Sequence, residues 1–346
     1  MSTKEGDHGR ATFLMRTGYL PTGPIQYPTL GSLVSKEIGD PENALPNFVS
    51  IAPYRQFSPA AFNSGFLGPQ YAPLVVGDAA QNFPQQQGGR PAYEAALKVQ
   101  DLDLPADVDP KHSDARIDIL KQMEDEFVKS RPGVPSSSHQ TAYDRAVRLM
   151  KTAASKAFNI EDEKASVRDA YGRNLFGQGC LLARRLVERG VPFVEVTHGG
   201  INGGAFGWDT HGQNFTTVKS LCEVLDAGWA ALMSDLSDRG LLDSTLIVWM
   251  GEFGRTPQIN QGQGRDHYPN AWATVLAGGG IKGGQAYGKT SADGTTVEDK
   301  STSVADFLAT VVKAVGIDPT KQNRSNVGRP IRIAAPDAKV IKEIVG

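Results

Sequence analysis

Short apolar runs alternate with amphipathic stretches along most of the chain, the pattern of a sheet covered by helices. The runs Phe48–Ile51, Leu74–Val76, Phe193–Thr197, Thr245–Met250 and Ala271–Leu276 predict strands. Thr245–Met250 reads TLIVWM without polar alternation, which predicts a central strand buried on both faces. Phe215, Val218, Leu221, Leu225, Trp229, Leu232 and Leu236 recur at spacings of three and four, so a helix runs from near Phe215 to a stop at Gly240. A second helix is expected from about Tyr171 to Arg189, closed by Gly190 just before VPFVEV. A third follows Ser303, with Asp306 three residues on as a capping signal and Gly316 at its end. Together these predict an α/β fold with a mostly parallel central sheet and helices on both faces.

Residues 81–92 are rich in Gln, Gly and Pro and predict a surface loop. Residues 113–129 and 141–157 predict two helices joined by SRPGVPSSSH. Residues 95–165 therefore read as a helical insertion within a single domain spanning 1–346. No internal repeat is evident.

Composition narrows the function more than the fold. A chain of 346 residues, 40% hydrophobic and 21% charged, has enough apolar sequence for a sizeable core. A net charge of -2 gives no electrostatic case for nucleic acid or an anionic membrane surface. No apolar run approaches the roughly 20 residues a membrane-spanning helix needs. Cys180 and Cys222 both fall in apolar helical patterns and read as buried thiols rather than a disulfide or metal site. The opening MSTKEGDHGRATFLMRTG has no signal-peptide pattern, and Met1 reads as an internal methionine of a longer protein.

Histidine is scarce, with six in all, so its placement carries information. Four lie beside Gly or Asp in loop-like sequence: Asp7-His8-Gly9, His198-Gly199-Gly200, Asp209-Thr210-His211-Gly212 and Asp266-His267. Asp and His together offer oxygen and nitrogen donors for a divalent metal, and glycine lets backbone come close to a ligand. His112 and His139 fall in the helical insertion and read as solvated surface residues. Ligands of open parallel sheets gather beyond the C-terminal ends of the strands. VPFVEV runs into THGG, TLIVWM runs into GEFGRTP, and GRDHYP precedes AWATVL, so Asp209, His211, Glu252 and His267 are expected to converge on one edge.

Each residue also has a plainer explanation. Asp209 is placed to cap the helix that follows it, His198 to be a hydrogen-bonded core histidine, and Glu252 to pair with Arg255 in a structural salt bridge. The conjunction of these segments favours the metal site.

The segments ARRLVERGVPFVEVTHGG, WDTHGQNF, DLSDRGLLDSTLIVWMGEFGRTP, GRDHYPNAW and LAGGGIKGGQAYG, with the N-terminal DHGRATFLMRTGYLPTGPIQYPTLGSLV, resemble the family termed domain of unknown function 1501, common in exported proteins of planctomycete-type bacteria. The resemblance implies kinship with the alkaline phosphatase, sulfatase and phosphoglycerate mutase group, whose members bind divalent metals and cleave phosphate or sulfate esters. It implies that Asp209 and His211 match the group's first metal-site Asp and His, that Glu252 takes the acidic ligand position after its strand, and that His267 is the late histidine ligand. His8 then falls where the nucleophile would lie, and no Ser, Thr or Cys occupies that position. Phe253 stands where a ligating His or Asn is expected, leaving Asp266 to supply that ligand. The resemblance also places the group's first strand before Met1, so one sheet position is expected to be unfilled. Export to the periplasm or beyond is implied for the full-length protein.

These observations predict a metal-dependent hydrolase acting on a small-molecule or glycan ester of phosphate or sulfate. The expected metal ligands are Asp209, His211, Glu252, Asp266 and His267 for a divalent ion (zinc, calcium, magnesium or manganese). His8 is expected as a ligand or general acid/base, and Arg255 as a cation facing the anionic ester. The alternative is a degenerate relative that binds sulfated or phosphorylated glycans without turnover.

Overall fold

The computed structural model describes residues 1–77, 86–87, 90–99, 102, 104–131, 134–199 and 207–346. Most of the expected loop at 81–92 and Gly200 of the His198-Gly199-Gly200 run lie outside them.

The fold is mixed α/β. Helix α1 (His8–Thr17) starts where Asp7 accepts a bond from the Arg10 N–H and ends at Gly18, whose φ of 79° closes the last turn. Helix α2 (Leu30–Glu37) is capped by Thr29 and packs beneath β1 (Phe48–Ile51). Strand β2 (Leu74–Val76) pairs in parallel with one edge of β1, and β3 (Phe193–Val196) with the other.

Helices α3 (Pro110–Ser130) and α4 (Val134–Lys151) form the insertion. The second begins inside the segment expected as a linker. His112 is exposed on α3, while His139 lies within α4.

Helix α5 (Leu175–Glu188) is shorter than expected at its start, because Gly172 turns the chain at a φ of 83° and Asn174 supplies the cap. It packs along α6 (Asn214–Asp238), the helix read from the heptad-like spacing. Cys180 is buried on α5 and Cys222 half-buried on α6, both as free thiols.

Strand β4 (Leu246–Trp249) leads into a short ladder of β5 (Gly254–Arg255) with β6 (His267–Tyr268). It then pairs antiparallel with β7 (Val275–Gly278). Strand β7 starts later than the expected Ala271 because the Trp272 N–H is already bonded to the Met1 carbonyl. Helix α7 (Val304–Ala314) follows, with Ser303 and Asp306 forming the reciprocal capping box read from the sequence.

Among the described residues, parallel pairing is thus confined to β2-β1-β3, and β4-β7 is a separate antiparallel pair. One edge of β3 and one edge of β4 carry no neighbouring strand among the described residues. A cavity of about 1300 Å³ lies against both edges. This explains why β4 is not buried on both faces as its apolar sequence predicted: Ile247 is buried, but Leu246 and Val248 are half-buried and Trp249 is 36% exposed.

The candidate metal centre

The polar cluster sits where α1 begins and where β4 and the β5–β6 ladder meet the Asp209 loop. Asp7 caps α1 and so fixes His8 as its first residue. Gly9 permits that placement, since a Cβ there would come within 2.8 Å of the Phe57 carbonyl. The β5–β6 register sets Arg255 opposite His267. The loop between those strands packs against the Asp209 loop through a bridge between Gly212 and Gln263. Only glycine fits at 264, where a Cβ would fall 2.0 Å from the His211 carbonyl.

Seven residues singled out from the sequence meet here. Asp209 is the centre. Its Oδ2 lies 3.3 Å from His8 Nε2, and its Oδ1 lies 3.2 Å from His267 Nε2 and 3.1 Å from His211 Nε2. Arg255 donates to the same Oδ1 at 2.6 Å. The three imidazoles are each held from behind through Nδ1: His8 by Glu252 at 2.8 Å, His211 by Asp266 at 2.8 Å, and His267 by the Gly6 carbonyl at 2.7 Å. An Nδ1–H that donates to an oxygen leaves Nε2 with its lone pair, so all three Nε2 atoms face Asp209 as potential ligands.

Two features show that this arrangement suits a cation. His8 Nε2 is buried with no hydrogen bond among the described residues. His211 Nε2 and His267 Nε2 are 3.0 Å apart, and two lone pairs at that distance repel unless a proton or metal lies between them. His8, Asp209 and His267 each place a ligand atom within 4.8 Å of the others.

The plainer explanations resolve differently for each residue. Asp209 does not cap α6; the N-cap is Gln213, in the left-handed region at φ 51° and without a side-chain bond. Glu252 does not pair with Arg255, which bonds Asp209 and the Arg265 carbonyl instead. Asp266 also accepts from Asn260 at 3.1 Å, and Asn260 donates to the His211 carbonyl as well. Phe253 is buried and packs its ring 4.5 Å from that of His267, so it forms a wall rather than a gap in the site. On the other side Phe57 stacks on His8 at 4.6 Å. His198 is half-buried, bonded to the Leu221 carbonyl and stacked on Phe176, and burial lowers its pKa.

Sequence reasoning missed the Gly6 carbonyl, Asn260 and Phe57. Asn260 alone left a trace, as a turn-forming residue within the Gly- and Gln-rich NQGQG.

The electrostatics follow from the same bonds. Burial favours the neutral form of Asp209, but the bond and charge of Arg255 outweigh it and hold the carboxyl down at about 2. Burial disfavours charge on His8 too, yet Glu252 and Asp209 raise its pKa above the ordinary 6.5. The signs differ. The Asp209 contribution to stability is complete above about pH 4 and is lost as pH falls toward 2. The His8 contribution is complete below 6.5 and is lost as pH rises through its raised value. Urea unfolding of the metal-free protein is therefore expected to show about 1–2 kcal/mol of Asp209-dependent stability that fades between pH 4 and 2, the lower figure allowing for water at the site. An Asp209→Asn variant that tracks the wild type across that range would overturn this assignment.

With the fold and site in hand, comparison with known proteins adds one result. No characterised protein and no solved structure matches the chain. A family model described as protein of unknown function (DUF1501) matches residues 1–345, and the chain belongs to that family.

Proposed function

We propose that this protein is a metal-dependent hydrolase of phosphate or sulfate esters, of the alkaline phosphatase-like kind. The observation that carries the proposal is the convergence of three Nδ1-anchored imidazoles on the Asp209 carboxylate. His8, Asp209 and His267 would hold the ion. Imidazole-rich donor sets suit zinc or manganese better than calcium or magnesium, which prefer all-oxygen shells. When bound, the ion would supply Lewis acidity, polarising an ester oxygen and acidifying water.

The remaining roles fall to the chain's own side chains. Glu252 and the Gly6 carbonyl orient His8 and His267, so Glu252 acts behind a ligand rather than as one. Arg255 keeps Asp209 ionised and adds positive charge beside the centre. His211 is 47% exposed and tied to Asp266, and it can take or return a proton at Nε2 at the mouth of the site.

The test is direct. Chelator-treated protein should regain hydrolysis of 4-nitrophenyl phosphate or 4-nitrophenyl sulfate when zinc or manganese is added. His211→Ala should cost more in kcat than in metal affinity. Protein that binds neither ion would refute the proposal.

One observation favours the glycan-binding alternative. Among the described residues, no Ser, Thr or Cys side chain bonds to His8, Asp209 or His267, and His8 itself occupies the place expected of a nucleophile. Tight metal binding without turnover of either ester class would decide for that alternative.

A further inference from the structure

Helix α3 (Pro110–Ser130) carries two apolar stripes, and its neighbour α4 takes only one of them. Asp114 pairs with Lys151 at 2.7 Å, and Asp125 accepts from the Gln140 amide at 2.6 Å, so α4 lies along the side that bears these acids. Ile117 and Val128, turned toward that side, are half-buried. Ile119, Met123 and Phe127 form a row on the opposite side, since residues four apart stack along one helix face. They are 58%, 64% and 50% exposed. Arg131 sits over the Phe127 ring at 4.6 Å and still leaves it that open. A single exposed Met needs no explanation, but three large apolar side chains in a row make a strip about 12 Å long. Polar residues at these positions would leave the α3–α4 contact as it is, so the strip does not serve to hold the hairpin.

The charges beside the strip bear on what covers it. Arg116 stands three residues before Ile119, and Glu126 three residues after Met123. Both are exposed, and neither has an ion-pair partner among the described residues. A cation before the strip and an anion beyond it, set symmetrically about Lys121, form the pattern that a two-fold contact requires, because each pairing there occurs twice. Laid antiparallel on a second copy about the level of Lys121, Ile119 meets Met123 of the second copy, Arg116 meets Glu126, and Phe127 meets Ala115. A parallel alignment would set Arg116 against Arg116 and Glu126 against Glu126, which is repulsive.

We propose that this strip is a homodimer contact, in which two copies of the chain pack their α3 helices antiparallel in the register that sets Arg116 against Glu126. One helix pair lies at the low end of stable interfaces, which bury about 800 Å² on each side, so association is expected at micromolar protein. The proposal is independent of the hydrolase reading, since no residue of the metal centre lies on α3.

Sedimentation velocity of the 346-residue chain, from nanomolar to high micromolar protein, should show a reversible monomer–dimer equilibrium. Met123→Glu should abolish the dimer and leave the Tm of dilute, monomeric protein unchanged, because Met123 is exposed there. Arg116→Glu and Glu126→Arg should each weaken association about tenfold, since each turns two attractions into two repulsions. The double variant restores opposite charges in the same register and should return to within about threefold of the wild type. A chain that stays monomeric at every concentration overturns the proposal and leaves the strip to another occupant, a lipid surface or a different protein. A dimer that survives Met123→Glu overturns it by placing the contact elsewhere. A lowered Tm of the monomeric Met123→Glu variant overturns it too, by showing that the strip packs within the chain. Failure of the double variant to recover overturns the antiparallel register.

Discussion

His267→Ala and Asp209→Ala are each expected to remove bound zinc or manganese from the protein, measured by elemental analysis after chelation, reloading and desalting. Each variant deletes one of three donors that lie within 4.8 Å of one another. The remaining donors cannot restore the coordination number. A finer expectation distinguishes the two layers of the site. Glu252→Gln retains the shape of the side chain but weakens its hold on the His8 Nδ1–H, so metal affinity should fall by about 10–100-fold rather than vanish. Asp266→Asn acts on the exposed His211 and should change affinity less than Glu252→Gln. If Glu252→Gln removed the metal as completely as Asp209→Ala, Glu252 would be a ligand, as its position after β4 suggested.

That contrast shows what was legible in the sequence. Strands β1 and β2 and the capping box at Ser303 were readable because their signals are local: periodicity, apolar runs and a Ser-x-x-Asp spacing. The members of the polar cluster were readable as well, since scarce histidines beside Asp and Gly in loops are unusual enough to attract notice. Their division of labour was not. Whether Glu252 points at the centre or at the back of His8 depends on a contact between residues 244 positions apart, and no local pattern encodes it. The plainer alternative for Arg255, a pairing with its near neighbour Glu252, is not the one formed. The β5–β6 turn swings Arg255 toward Asp209 instead. The apolar run at β4 signalled a fully covered strand, but with the cavity beside it Leu246 and Val248 are only half-buried and Trp249 is 36% exposed.

Arg184→Ala is expected to destabilise the fold by about 3–5 kcal/mol, the largest effect anticipated away from the metal centre. Arg184 is 1% exposed on α5 and meets three carboxylates: Glu188 at 2.9 Å, Glu163 at 2.9 Å and Asp235 of α6 at 2.8 Å. Only the contact with Glu188 has hydrogen-bond geometry; Nε and Nη2 face Asp235 and Glu163 as ion pairs. Removing the guanidinium leaves two half-buried carboxylates, at 13% and 17% exposure, without their shared cation. Asp235 would still accept from Arg239 and from the Tyr171 hydroxyl, and Glu163 from Arg185, which limits the loss. The same three-way contact joins α5 to α6 and to the segment before it, so the variant should also loosen the wall of the cavity between β3 and β4. Urea unfolding measures the first effect. A paired Arg184→Ala/Asp235→Asn variant should then cost clearly less than the sum of its parts, because neutralising Asp235 removes one of the stranded charges. A loss below about 1 kcal/mol, or strict additivity in the double variant, would show that the network is a solvated surface cluster and not the clamp between these helices.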